Sequence, residues 1–323
     1  MEYRNLGNSG LKVSVIGLGA NSFGGRADRA TSIEIIHAAL DNGVTLIDTA
    51  NGYTKGDSEK IIGEALKNRR HSAVLATKAG LPQGDGPYRR GTSRRHLTEQ
   101  LEQSLRRLGT DYIDLYYVHT FDSDTPVEET MTTLNDFVRQ GKVLYIAASN
   151  YRPEELKNAL EVSRSRQLER FCGLQLSYSL LDRTPERDLI PLSQDEGIGI
   201  VAYYPLAGGV LTGKYHGGVI PPGSRADRQP GFYAKIREDL RVGGDQFAKL
   251  AHRLDQDPAG LAIAWLIHRS GVSSAIIGAT RVDQVLNNLK ALEVRLKEDW
   301  QEQLNQLSDG FVWGDPYGWY RLD

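Results

Sequence analysis

The sequence predicts an α/β chain folded as a (β/α)8 or TIM barrel, a single domain over residues 1–323, with an N-terminal β-hairpin and extra helices near the C-terminus. Three observations carry this. Eight short apolar runs alternate with segments of helical periodicity. The runs are apolar on both faces, as parallel strands covered by helices are. The competing doubly wound sheet needs a dinucleotide fingerprint, and that fingerprint fails. Its candidate, Gly17-Leu18-Gly19, has Ser22 where the third glycine belongs, and no helix starts until about Thr31.

The elements follow in order. Arg4-Asn5-Leu6 and Leu11-Lys12-Val13 flank the turn Gly7-Asn8-Ser9-Gly10, which reads as a hairpin. VSVIGLG is the first barrel strand, and TSIEIIHAALDNG a helix capped by Thr31 or Ser32 and stopped at Gly43. VTLID precedes a helix DSEKIIGEALKN capped by Asp57 or Ser58, and AVLATK precedes SRRHLTEQLEQSLRRLG, whose stripe is Leu97, Leu101, Leu105 and Leu108. YIDLYYVH leads to PVEETMTTLNDFVRQG, with Pro126 in the first turn. VLYIAAS leads to PEELKNALEVSRS, and CGLQLS to PERDLIPLSQDEG. GIVAYY is the seventh strand. The Gly- and Pro-rich stretch 205–244 after it reads as a long functional loop or lid. DQFAKLAHRLDQ is an extra helix, PAGLAIAWLIHRSG closes unit seven, and SAIIG with RVDQVLNNLKAL forms unit eight. A tail from Glu293 adds a helix and an aromatic end, from Phe311 to Tyr320.

Composition narrows the function. Charged residues are 25% of the chain and net charge is −2, so no global field attracts nucleic acid or an anionic membrane. No apolar run approaches the roughly 18 residues of a membrane span. Cys172 is the one cysteine, which leaves no disulfide and no thiolate metal site; it starts an apolar run and reads as packing. No metal is expected. The N-terminus lacks a signal pattern, and a cytoplasmic location is expected. The oligomeric state is not legible.

Polar residues recur where apolar runs end. Asp48, Lys78, His119, Ser149, Asn150, Gln175, Tyr203 and Gly278 fall at or just past strand ends, with Tyr53 in the loop after Asp48. In a (β/α)8 barrel those ends share one mouth, where chemistry is built. Taken singly, Asp48 could cap a turn, Lys78 could be an ion-pair partner, His119 a satisfied core histidine and Tyr53 packing. Together they form a proton-transfer set. A lysine buried in a barrel needs a counter-ion, which Asp48 supplies. The ammonium beside Tyr53 favours the phenolate and lowers a pKa that starts near 10. His119 can hold a carbonyl oxygen. This is a general acid for carbonyl reduction. No side chain donates hydride, so a nicotinamide is implied.

The spacing Asp48-Thr49-Ala50-x-x-Tyr53, Lys78, and DYIDLYYVH ending on His119 resembles the aldo-keto reductases, as do QGKVLYIAASN, GLQLSYSLLDRTPERDLIPL, GIVAYYPLAGGVLTGKY and AIIGATRVDQVLNNL. The likeness runs from about Tyr3 to Leu292 and is nearest the bacterial branch with GVLTGKY. The resemblance implies an NADPH-dependent oxidoreductase acting on a small-molecule aldehyde or ketone. Its catalytic tetrad would be Asp48, Tyr53, Lys78 and His119, with Tyr53 the acid. Cofactor contacts would come from Ala20, Asn21, Asp48, Ser149, Asn150, Gln175 and Tyr203. Pro205, Leu206, Gly208 and Lys214 would cover the pyrophosphate. Gly278, Ala279, Thr280, Arg281, Gln284, Asn287 and Asn288 would hold the adenosine end. By position in the loops, Asn21, Ser22, Phe23, Tyr53, Tyr88, His119, Phe121 and Tyr151 are expected to line the substrate pocket. Small aldehydes such as methylglyoxal, or sugar-derived ones, suit it. Arg89 and Arg90 would suit an anionic substrate, although a solvated loop is the plainer reading. Channel β subunits resemble the same family, so a cofactor-binding regulatory or sensor protein is the alternative. Thr54, Asn287 and Tyr204 depart from the family's usual glycine, acidic and small residues, and their loops are expected to differ.

Overall fold

The hairpin consists of β1 (Tyr3–Asn5) and β2 (Lys12–Ser14), paired antiparallel. Then β3 (Ile16–Gly19), α1 (Arg29–Asp41), β4 (Leu46–Asp48), α2 (Asp57–Leu66), β5 (Val74–Ala79) and α3 (Arg94–Leu108) follow. Next come β6 (Ile113–Val118), α4 (Val127–Arg139), β7 (Val143–Ser149), α5 (Pro153–Arg166), β8 (Gly173–Ser177), α6 (Leu189–Asp195) and β9 (Gly199–Tyr203). Two short helices, α7 (Arg225–Arg228) and α8 (Pro230–Ala234), precede α9 (Glu238–Arg253), α10 (Pro258–Ile267), β10 (Val272–Gly278), α11 (Val282–Leu289) and α12 (Glu298–Ser308). Strands β3 to β10 close into a parallel barrel, with β10 hydrogen-bonded to both β3 and β9. This computed structural model describes residues 1–234, 236, 238–311 and 322. The expected aromatic end lies, from residue 312 to Tyr320, outside them.

Strand alternation sorts the core in two. Side chains facing out, such as Ile47, Leu75, Tyr116, Ile146 and Ile200, pack under the helices in the larger cluster. Those facing in, Leu46, Ala76, Leu115, Tyr117, Ala147, Val201 and Ile276, fill the barrel. Leu6, Leu11 and Val13 from the hairpin join this inner cluster. The inward set positions the site. Two residues beyond each inner apolar residue, on the same face, stands a polar group or a glycine: Asp48, Lys78, His119, Ser149, Tyr203 and Gly278.

Several boundaries differ from expectation. The first barrel strand breaks at Val15, where the Ser14 hydroxyl donates to the Ile16 carbonyl at 2.7 Å and separates β2 from β3. The cap of α1 is Asp28, whose carboxylate accepts from Thr31 N at 2.8 Å, and not Thr31 or Ser32. The cap of α2 is Gly56 at φ +90°; Asp57 is already helical, and the Ser58 hydroxyl turns inward to the Ala20 carbonyl. Residues 184–187 form a tight 3-10 turn, so α6 starts only at Leu189. The long loop is shorter than expected, because α9 begins at Glu238. Gly243 and Gly244 disguised it. A Cβ on Gly243 would meet Phe311 at 2.3 Å, and one on Gly244 would meet Val210 at 2.3 Å. Glycine costs a helix about 1 kcal/mol; here it admits close packing.

Candidate active site

The strand-end residues converge on one cavity of about 730 Å³. Asp48, Tyr53, His119, Ser149, Asn150, Gln175 and Tyr203 line one end. Lys78 lies behind them, fully buried. Its ammonium donates to Asp48 Oδ1 at 2.5 Å and to the Thr49 carbonyl at 2.7 Å. The other Asp48 oxygen accepts from Gln175 Nε2 at 2.8 Å. The Lys78 Nζ lies 5.3 Å from the Tyr53 ring centroid, and the Tyr53 and His119 rings meet edge-on with centroids 6.0 Å apart.

Burial sets the charge states. It pulls the Lys78 ammonium down from its usual range, and the Asp48 carboxylate opposes that pull. His119 falls well below an ordinary histidine, first through burial and second through the Lys78 charge. Its imidazole is therefore neutral near pH 7.

Asn150 sits in the left-handed region at φ +57°. Its amide donates to the His119 carbonyl at 2.9 Å, and its oxygen accepts from the Tyr203 hydroxyl at 2.7 Å. Thus β6, β7 and β9 are tied together at the mouth. The unusual Thr54 has φ +47° and its neighbour Lys55 φ +59°. The Thr54 hydroxyl anchors that turn, donating to the Phe23 carbonyl and accepting from Ser58 N. Tyr204, the second departure, is also left-handed at φ +58°. Asn287, the third, faces the cavity.

The far end of the cavity is lined by Gly278, Ala279, Thr280, Arg281, Gln284, Asn287 and Asn288, with Ala20, Asn21, Pro205, Leu206, Gly208 and Lys214 between. The Gln284 side-chain oxygen accepts from Thr280 N at 2.8 Å and closes the turn into α11. Arg281 is the N-cap residue of α11, and its guanidinium grips Asp283 with two bonds of 3.0 and 3.1 Å. Asp283 thus pairs with the cation while remaining largely exposed to solvent. Residues unremarked in the sequence join this wall: Arg26, Pro221, Pro222, Ser224, Arg225, Arg228, Asp257 and Lys290. The cations in IPPGSRADR and FGGRAD were the available signal; the first lies in the stretch read as a functional loop or lid, but none of its cations was singled out. Arg26 is half-buried, and burial and the Arg225 charge both weigh on its guanidinium.

The expected substrate residues scatter. Phe23 is fully buried in the core and Tyr151 almost so, stacked edge-on between Phe121 and Phe171. The Ser22 hydroxyl is spent on the Ala279 carbonyl at 2.7 Å. Phe121 packs against the core, and Tyr88 is 53% exposed with Arg95 over its ring. Ser22, Phe23, Tyr88, Phe121 and Tyr151 are not among the cavity's lining residues, whereas Asn21, Tyr53 and His119 are. Hydrophobic side chains at strand ends face either the mouth or the helices, and spacing alone did not say which.

The donor set fits a nicotinamide dinucleotide. Six cationic side chains line the cavity, against Asp257, Asp283 and the lysine-paired Asp48. Gly208 and Gly209 carry left-handed backbone in the covering loop, and the start of α11 offers amides to an anion. Amide side chains of Asn150 and Gln175 stand at the end lined by Asp48, Tyr53 and His119. No helix among the described residues is long and apolar enough to cross a membrane.

Comparison with known proteins agrees with the barrel fold. The model of the Aldo/keto reductase family matches residues 15–309. The chain is 38% identical to an uncharacterized oxidoreductase, YrpG, of Bacillus subtilis, over 96% of this chain and 97% of that one. It is 35% identical to the L-glyceraldehyde 3-phosphate reductase of Escherichia coli K12, over 90% and 88%. It is 37% identical to a probable voltage-gated potassium channel subunit beta of Oryza sativa, over 91% and 92%.

Proposed function

The chain belongs to the aldo/keto reductase family, whose members include oxidoreductases that reduce aldehydes and ketones, and from that premise we propose that it reduces a small aldehyde with NADPH, with Tyr53 as the acid. One observation carries the assignment: the buried Lys78 ammonium, pinned by Asp48 at 2.5 Å, lies 5.3 Å from the Tyr53 ring. A cation there stabilises the phenolate left when Tyr53 gives up its proton. The neutral imidazole of His119 has no ionic proton to give; it is suited to hold the carbonyl oxygen. Lys78 is behind the cavity wall and does not reach the substrate directly.

The cofactor, when bound, supplies hydride. Ser149, Asn150 and Gln175 would hold its carboxamide, and Tyr203 would stack on the ring. The covering loop with Arg225 and Lys214 would take the pyrophosphate. Arg281 and Thr280 would meet a 2′-phosphate, which is the basis for preferring NADPH. Asn21, Tyr53 and His119 would face the substrate. Arg89 and Arg90 pair at the surface with Glu99 and Asp124 and do not line the cavity. The relative named for L-glyceraldehyde 3-phosphate makes glyceraldehyde and its phosphate the first compounds to try. A single domain in a reducing compartment suits the lone Cys172. The regulatory alternative shares every feature above and has the channel-subunit relative on its side; turnover separates the two readings.

The test is Tyr53→Phe. Turnover, followed by NADPH absorbance with a panel of aldehydes, should fall by ~10² to 10⁴. The Kd for NADPH should not move. Near-normal turnover in the Phe variant would remove Tyr53 as the acid.

A further inference from the structure

We propose that Tyr117 is a positioning residue, whose ring is the floor on which the Lys78 ammonium rests and stays charged. This rests on the acid assignment above, because Lys78 matters to catalysis through Tyr53. Tyr117 on β6 is the register partner of Lys78 on β5, and both side chains face into the barrel. The Lys78 Nζ is 5.5 Å from the Tyr117 ring centroid and 5.3 Å from that of Tyr53. The ammonium thus has two aromatic rings near it and is hydrogen-bonded to Asp48 and the Thr49 carbonyl. A cation gains most from an aromatic face when water is excluded, and Lys78 is fully buried.

The neighbours make this ring stand out. The other fully buried strand residues of the inner cluster are aliphatic, Leu46, Ala76, Leu115, Ala147, Val201 and Ile276, with Tyr145 only partly buried against them. A leucine at 117 would fill space and leave the ammonium over a surface without charge complementarity. The Tyr117 hydroxyl is buried without a well-formed hydrogen bond, the Gln175 side chain being its polar neighbour, so the ring is assigned the role. The charged and titratable groups around Lys78 are Asp48 on β4, Tyr53 beyond it, Glu59 on α2, and His119 at the end of β6. Asp48 and Glu59 favour the ammonium; burial opposes it. The Tyr117 face adds to the favourable side.

The experiment keeps the shape of the ring and drains its negative face. In the full chain, Tyr117 is replaced by Phe, by 3,5-difluorophenylalanine and by 3,4,5-trifluorophenylalanine. Lys78 titration is followed in the protein without cofactor by NMR of 13Cε-labelled lysine, with Lys78→Met identifying the resonance. The pH dependence of kcat with NADPH and glyceraldehyde is measured alongside. The expected result is a stepwise loss of ammonium along the series, reaching about tenfold in the ammonium-to-amine ratio at a given pH. The alkaline limb of kcat should move to lower pH in parallel, with Phe close to Tyr and the Kd for NADPH constant. A Lys78 titration that does not change along the series overturns the proposal. So does a Phe variant as impaired as the trifluoro one, which would assign the role to the hydroxyl. If the titration moves and the kcat limb does not, the floor under Lys78 stands and the acid assignment of Tyr53 falls instead.

Discussion

Replacing Lys78 with Met tests the centre of the site through stability and turnover together. The ammonium gives Asp48 Oδ1 a 2.5 Å ion pair and gives the Thr49 carbonyl a 2.7 Å bond, with both side chains almost entirely out of water. In the Met variant Asp48 keeps only the Gln175 amide at 2.8 Å among these partners. An uncompensated buried charge costs ~3–5 kcal/mol. At roughly 2 °C per kcal/mol for a chain of this size, Tm should fall by about 6–10 °C. The double variant Lys78→Met, Asp48→Asn should recover most of the stability and none of the turnover, since removing both partners leaves no buried charge. Thermal denaturation and NADPH oxidation are the assays. A Lys78→Met variant of unchanged Tm and activity, or a double variant no more stable than Lys78→Met, would refute the reasoning.

Arg281→Ala should weaken NADPH by roughly 10- to 100-fold, the worth of a charge-assisted bond, and NADH much less. Asp283→Ala should tighten NADPH, because it frees the guanidinium that Asp283 now holds; calorimetry on both cofactors decides, and equal losses for NADPH and NADH in Arg281→Ala would place the phosphate elsewhere. Asp182 is pushed by burial from 3.8 to about 6. Its folded pKa lies above the unfolded one, so stability is fully present below about pH 4 and is lost as pH rises through about 6, by about 3 kcal/mol in all. Asp182→Asn should flatten that part of a urea-denaturation profile, and an unchanged slope would count against a buried carboxyl. Gly91 sits at φ +88°, where an alanine Cβ would lie 2.4 Å from Asp122 Oδ2. Gly91→Ala should cost at least about 1–2 kcal/mol from the backbone alone and disturb the Asp122 bonds to Thr92 and Thr125. An unaltered denaturation midpoint would show that the loop yields freely.

The barrel and the convergence of Asp48, Tyr53, Lys78 and His119 were legible in the chain because both depend on local pattern. Eight apolar runs with helical stretches between them admit few folds, and residues i and i+2 of a strand share a face whatever surrounds them. Asp48, Lys78 and His119 could therefore be assigned to one mouth before any distance was known. Boundaries were less legible where a long-range contact overrode a local preference. Gly243 and Gly244 read as loop until Val210 and Phe311 supplied the reason for a helix without side chains there. The pocket wall was decided only in three dimensions. Phe23 and Tyr151 turn into the core, and Arg26 and Arg225 come together from distant parts of the sequence. The same holds for Arg281, whose capture by Asp283 is a matter of side-chain geometry, and for Tyr117, an ordinary apolar strand residue until its partner across the sheet proved to be a buried cation. Which side chains a strand carries and how they alternate is local information; what each one meets depends on barrel closure and loop paths, which no short stretch encodes.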